Sequence, residues 1–487
     1  MVVEILGAKM LSPYVGTSHF VWTAQIAVTL VALSVGYGVG GWLVDRSPRL
    51  SWIYGAILAA AVYLCGTVLG CEPIAFFCLR FNLAAGSLLA SALLFFVPLA
   101  LLAMVGPFFV RMLTMSVESV GANMGRLTAI STLGSVAGTI LIGYVLIPHC
   151  SNSLTMYLTA GALMLVAVGY FLGWARRLCP PAIAGAVLGA FVGFVGIARQ
   201  TLTEPDQAIE LARRNSNFGL MQVIEPKGGG RRYYLNDLLT QNTYDPAARA
   251  SGSLFTYMLY GLAHAYRAEV KDVLCIGLGV GIVPMQFARE GVRVDAVEIN
   301  PAVVPIATQY FDFEPRLLNL VIGDGRYYLN ACSKQYDVIV LDAFLGESPP
   351  SHLMTREALG ALQRRLKPGG TVVMNTFGEF EAGRDFFCAS LDRTLRTVFR
   401  SVKIHAAGNG NVFFVASDQP ELSVLHAMNF ETIPFSVRGL AEAAFTSKVA
   451  TEPEHGRVLT DDFNPVDYYD AANRESLRQR LAASYRP

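Results

Sequence analysis

An apolar run that ends in alternate glycines, Val273-Leu-Cys-Ile-Gly277-Leu-Gly279-Val-Gly281, constrains this chain more than any other stretch. β-branched and aliphatic residues predict a buried strand, the glycines a tight loop, and residues 282–289 the start of a helix. Missing Cβ atoms at Gly277, Gly279 and Gly281 let a ligand lie against the backbone. A second strand over 292–299 closes with Glu298, whose two carboxylate oxygens suit the paired hydroxyls of a ribose. Further strands are expected over 318–324, 336–343 and 371–377, with helical stretches between them. That alternation predicts a parallel sheet covered on both faces, with ligands at the carboxyl ends of its strands. Asp324 and Asp342 stand at two such ends.

The pattern then changes. Residues 401–407 and 411–417 read as strands separated only by Gly408-Asn409-Gly410, too short for a crossover helix, so they form an antiparallel hairpin. A parallel sheet ending in such a hairpin is similar to the fold of S-adenosylmethionine-type transferases and differs from a plain dinucleotide fold. The loop agrees, because its Gly-x-Gly-x-Gly spacing departs from the dinucleotide Gly-x-Gly-x-x-Gly. A nucleoside-sulfonium site is therefore expected in preference to one for NAD. Plainer roles exist for the same residues. Asp324 and Asp342 can cap following helices, and Glu298 with Asn300-Pro301 can mark a simple helix start.

Composition separates this domain from what precedes it. Hydrophobic residues make up 53% of the 487 and charged ones 15%, which implies membrane segments. Residues 1–200 carry 9 basic and 4 acidic side chains, against 29 and 33 in residues 201–487. Spans are expected over 19–44, 51–70, 84–110, 127–147 and 154–174, while 181–197 is shorter and rich in glycine and alanine. No signal peptide is expected, because residues 1–11 lack a basic start and carry Glu4. Arg46, Arg49, Arg111, Arg126, Arg176 and Arg177 fall on one side, which the positive-inside rule makes cytoplasmic. Six spans would put the C-terminal domain outside. Five, with 181–197 not crossing, keep it in the cytoplasm with a cytosolic cofactor, and that arrangement is the expected one. The eight cysteines are scattered and form no Cys-x-x-Cys, so they read as reduced core residues and no metal is expected. No basic cluster points to nucleic acid.

The expected architecture is thus a multi-span α-helical membrane domain, 1–200, in the cell (inner) membrane. A connector and small β unit follow, 201–250, and then an α/β Rossmann-like domain, 251–487. Residues 200–215 read as a polar connector, with two short strands over 218–225 and 231–236. From here the chain resembles the spermidine synthase (polyamine aminopropyltransferase) family and its membrane-fused bacterial relatives. The residues behind the resemblance are Ser216-Asn-Phe-Gly219, Leu235-Asn236 with Gln241, the glycine loop and Val297-Glu298-Ile-Asn-Pro301. Gly323-Asp324-Gly-Arg326 and Tyr336-Asp-Val-Ile-Val-Leu-Asp342 complete them. Ser12-Pro-Tyr-Val-Gly-Thr17 and Gly40-Gly-Trp-Leu-Val-Asp-Arg46 look like the fused relatives' membrane part, which there carries a further span ahead of the position of Glu4.

The resemblance implies roles. Glu298 would hold the ribose and Asp324 the adenine amine, with Gln241, Gly277, Gly279, Gly281 and Gly325 completing the pocket. Asp342 would be catalytic, facing the sulfonium and taking a proton from the incoming amine. The donor would be S-adenosylmethionine or its decarboxylated form, and the acceptor a small amine; a homodimer is compatible with this reading. Two departures stand out. The loop Asp that pairs with the donor's amine in polyamine synthases is Val280 here, and the acceptor-binding Asp is Leu345. Asp461-Asp462 matches a segment of the fused relatives and reads as a turn in preference to an acceptor contact. Two alternatives to alkyl transfer stay open. One is an S-adenosylmethionine-dependent methyltransferase, and the other a transport or sensory membrane protein that binds nucleoside or polyamine without turnover.

Overall fold

The computed structural model describes residues 1–16, 18–114, 119–174, 180–202, 208–344, 346 and 349–484. They fall into two compact units. One comprises Met1–Glu204, Asn215–Gly219 and Arg478–Pro487, and the other Pro205–Arg214 with Leu220–Leu477.

The first unit is helical. His19–Arg46, Leu50–Cys78, Leu83–Leu113, Val120–His149 and Asn152–Trp174 are long and apolar enough to cross a membrane. They coincide in sequence with the five expected spans, each longer than the apolar run that signals it. Helices propagate past the apolar stretch until a cap stops them. Asn82 accepts the amide of Ala85 at 2.8 Å, and Ser151 accepts that of Leu154 at 3.1 Å. Residues Pro180–Leu202 form one continuous helix of 23 residues. Its glycines make the seam: Gly185 lies against Leu58, Gly189 against Val62 and Met164, and Gly196 against Leu69 and Tyr157. The partners ascend along Leu50–Cys78 and descend along Asn152–Gly169, so this helix runs parallel to the first and antiparallel to the second.

The second unit starts with a five-stranded sheet in the order β1-β2-β3-β4-β5: Ala208–Ser216, Gly219–Pro226, Arg232–Asn236, Leu239–Asp245 and Ala250–Ser251. The expected connector is thus partly a strand. Charged residues at an exposed sheet edge give β1 the composition of a linker, which is why its sequence reads as one.

The main sheet has seven strands: β6 Asp272–Ile276, β7 Arg293–Glu298, β8 Asn319–Ile322, β9 Tyr336–Leu341, β10 Leu366–Phe377, β11 Ser401–Ala406 and β12 Asn411–Ser417. Its order is β11-β12-β10-β9-β6-β7-β8. The pairs among β6 to β10 are parallel, and β12 runs antiparallel to both β10 and β11, as the short hairpin requires. Both faces are buried. Val273 and Cys275 face one core, Leu274 and Ile276 the other. At the amino end of the strands Asp272 pairs with Arg293 and Lys367, and Asp337 with Arg267 and Lys367, which closes that rim. From β6 the chain winds one way to β7 and β8, then returns to β9 and β10 on the other side. The crevice between β6 and β9 is therefore a switch point, where a ligand is expected.

Candidate active site

The glycine loop leaves β6 at this switch point. Gly277 and Gly281 have φ of +94° and +85°, in the left-handed region that favours glycine. A Cβ on Gly277 would collide with the backbone carbonyl of Asp342, so the close approach of these two loops depends on glycine. The amide of Asp342 donates to Ile276 O at 2.9 Å and that of Gly277 to Val297 O at 2.9 Å. Continuation of the ladder thereby fixes the strand ends against one another.

Glu298 ends β7 and is buried. Its Oε2 accepts the amide of Leu278 in the glycine loop at 3.0 Å, and its Oε1 accepts that of Asn300 at 2.7 Å. Burial raises its carboxyl above the usual range, and the backbone amides oppose that rise. A carboxylate offers about four lone-pair positions, so the backbone amides do not use up its capacity to accept from a ribose hydroxyl. The helix-start role and a ribose role are therefore compatible in one side chain.

Asp324 does act as a cap. Its Oδ1 accepts the Tyr327 amide at 2.8 Å at the start of Gly325–Ala331, and its Oδ2 pairs with His352 Nε2 at 3.0 Å. Burial pulls this carboxyl up, but the Tyr327 amide and the His352 ring outweigh it and hold it below its ordinary value. Gly325 packs on Ile276 with no room for a Cβ. Arg326, next along, is paired with Asp461, which also accepts from Thr355 Oγ1 at 2.7 Å. Asp461 thus anchors the C-terminal segment beside the site.

Among the described residues no helix begins at Asp342, and its Oδ1 accepts from Asn375 Nδ2 on β10 at 2.9 Å. Burial pushes its carboxyl up to about 6, against the pull of that amide. A carboxylate with this titration point beside a glycine loop is suited to accept a proton near neutral pH. Beyond it the Phe344 and Phe377 rings lie 5.3 Å apart and form an apolar pair. From the smaller sheet Gln241 Nε2 donates to Gly346 O at 3.3 Å, and Gly279 sits against the Asn242 amide. The predicted residues Gln241, Gly277, Gly279, Gly281, Glu298, Asp324, Gly325 and Asp342 are all at the carboxyl edge of the sheet or on the strand that reaches it.

The Spermine/spermidine synthase domain family matches residues 253–409. The chain is 33% identical over 225 residues to the polyamine aminopropyltransferase of Vibrio vulnificus, covering 44% of this chain and 75% of that one. The chain belongs to the spermine/spermidine synthase family. It is an enzyme of the aminopropyltransferase type. It is also 28% identical over 234 residues to an N-terminal histidine N-methyltransferase of Emericella nidulans, covering 44% of this chain and 41% of the relative. Among solved structures it is similar to the spermidine synthase of Thermotoga maritima, with a TM-score of 0.38 and 18% identity over 54% of this chain and 88% of the other.

Seen against the family's pattern, Val280 does more than lack a carboxylate. Its side chain is buried in the core formed with Val283, Phe313 and Val303. Leu345, the other departure, lies outside the described residues. Three neighbours escape the sequence reading. Asn375 sits in a strand with no motif around it, and Asn242 follows Gln241 without standing out itself. His352 is noticeable as a histidine near the site, but only the fold places it on Asp324.

Proposed function

We propose that the chain is an integral membrane transferase. It moves an aminopropyl or related alkyl group from decarboxylated or intact S-adenosylmethionine to a small amine, with release of methylthioadenosine. The observation that carries this reading is Asp342 at the switch point, with one oxygen held by Asn375 and the glycine loop at its back. The amine nitrogen attacks the methylene next to the sulfonium, the carbon–sulfur bond breaks and its electron pair stays on sulfur. Asp342 takes the proton that nitrogen must lose, and no covalent enzyme intermediate is needed. Glu298 would hold the ribose and Asp324 the adenine amine, with Gln241 and the glycine loop around them. The apolar Phe344–Phe377 pair fits the carbon chain of an aliphatic amine.

A second reading, methyl transfer from S-adenosylmethionine, is favoured by Val280. An apolar residue there leaves no negative charge to repel the carboxylate of the intact donor, and a methyltransferase is among the relatives. Product analysis distinguishes the two. Methylthioadenosine is the expected product, and adenosylhomocysteine would replace the alkyl-transfer reading with the methyl-transfer one.

The donor is made in the cytosol, so the catalytic unit is placed on the cytoplasmic face. The seam of Pro180–Leu202 along Leu50–Cys78 supports a sixth crossing, and that combination leaves Arg46, Arg49 and Arg111 on the outer face, against the positive-inside trend. Two reporter fusions settle both points. One sits between Leu113 and Val120, the other after Ser417. Six crossings give opposite signals and five give like signals. Fluorescence is expected from the second site, and phosphatase activity there would remove a cytosolic donor from the reading.

A further inference from the structure

The amide that holds Asp342 is itself held by others. The hairpin between β11 and β12 turns through Gly408-Asn409-Gly410, and the backbone amide of Asn411 donates to Asn409 Oδ1 at 3.3 Å. A backbone N–H can only donate, so it fixes which end of the Asn409 amide is oxygen. Asn409 Nδ2 then donates to Asn411 Oδ1 at 3.3 Å, Asn411 Nδ2 to Asn375 Oδ1 at 3.2 Å, and Asn375 Nδ2 to Asp342 Oδ1 at 2.9 Å. Each amide has one donating and one accepting end, so orientation set at the hairpin is passed along all three.

The sheet provides the path. Asn375 is opposite Phe413 and Asn411 opposite Phe377 in the antiparallel register, which makes the two asparagines diagonal neighbours on one face. Both are buried, so water does not compete for their amides. We propose that Asn409, Asn411 and Asn375 form a directional relay that presents only N–H to Asp342, which keeps this base in its ionised form and leaves Oδ2 for the amine. A reversed Asn375 would offer its oxygen instead, and Asp342 would then keep a proton to donate to it. The inference rests on the reading of Asp342 as the base. Among the titratable groups on the adjoining strand, Cys275 lies near Asp342, and burial keeps its thiol protonated. From β10 the facing group is the neutral Asn375. Among the described residues no charged side chain acts on Asp342, whose carboxyl is raised by burial and lowered by the Asn375 amide.

The test uses the full-length protein in detergent. Asp342 titration is followed by the protonated-carboxyl infrared band that Asp342→Asn deletes. Asn411→Leu removes the donor to Asn375 without adding charge, and Asn409→Ala removes the anchor at an exposed turn. Each is expected to raise the Asp342 midpoint, by about 0.5–1 unit in Asn411→Leu and by less in Asn409→Ala, a three- to ten-fold gain in proton affinity at the larger end. A merely structural asparagine cluster would lower the melting temperature and leave the midpoint where it is. Unchanged midpoints in both variants overturn the relay while the base reading stands. Normal methylthioadenosine release from decarboxylated S-adenosylmethionine and putrescine by Asp342→Asn removes the base reading and the relay's purpose with it.

Discussion

Asp342→Asn is expected to bind the donor nearly as well as the parent and to turn over about two to four orders of magnitude more slowly, the range for loss of a general base. The amide keeps the size of the side chain and an oxygen for Asn375 Nδ2, but it cannot take a proton. The pH dependence follows from the same carboxyl. With its titration point pushed up to about 6, turnover should fall as the solution is acidified through that value, because the base is then protonated. Stability runs the opposite way. A carboxyl raised above its unfolded value, near 4, holds its proton more firmly in the folded state. Its contribution is fully present below pH 4 and is lost as pH rises towards 6. The ionised group above pH 6 is therefore a strain on the fold of roughly 3 kcal/mol. Asp342→Asn should accordingly melt higher than the parent at pH 8 and alike at pH 4. Measured together, turnover and melting temperature separate a base from a structural side chain. Near-normal turnover would take Asp342 out of the mechanism, and lower stability at pH 8 would refute its being held there against burial.

How much of this was legible before the fold depends on the kind of interaction. The five long apolar helices and the parallel sheet follow from composition and period, which are local properties of the chain. The strand β12 is found at its expected limits because a glycine-rich turn separates it from β11. The strand Ala208–Ser216 is not found, since an edge strand with charges has the chemistry of a linker. Within the site, Glu298, Asp324 and Asp342 announce themselves by standing after apolar runs. Asn375 does not. Its place beside Asp342 comes from β10 lying next to β9, and Asn411 joins it only because β12 pairs back antiparallel. Such cross-strand partners leave no trace in local spacing. The burial of Glu298 is hidden for a related reason, because the amide it accepts belongs to Leu278, twenty residues earlier in the chain.

That burial also decides which substitutions report on nucleoside binding. Glu298→Ala strips the acceptor from two backbone amides, so lost affinity and lost stability arrive together, each on the order of 1–3 kcal/mol. Asp324→Asn isolates the ligand. Asparagine caps nearly as well as aspartate, so the Tyr327 amide keeps its acceptor and the melting temperature should move by no more than about 2 °C. The other end of the new side chain is now an NH2, which repels an adenine amine where a carboxylate oxygen would accept from it. His352 can follow by changing tautomer, since its Nε2 is then free to accept. Affinity for methylthioadenosine, measured by calorimetry, should fall about 5- to 150-fold, equivalent to about 1–3 kcal/mol, with folding intact. An unchanged dissociation constant for Asp324→Asn would show that Asp324 serves the helix alone, and would move the adenine end of the pocket away from β8.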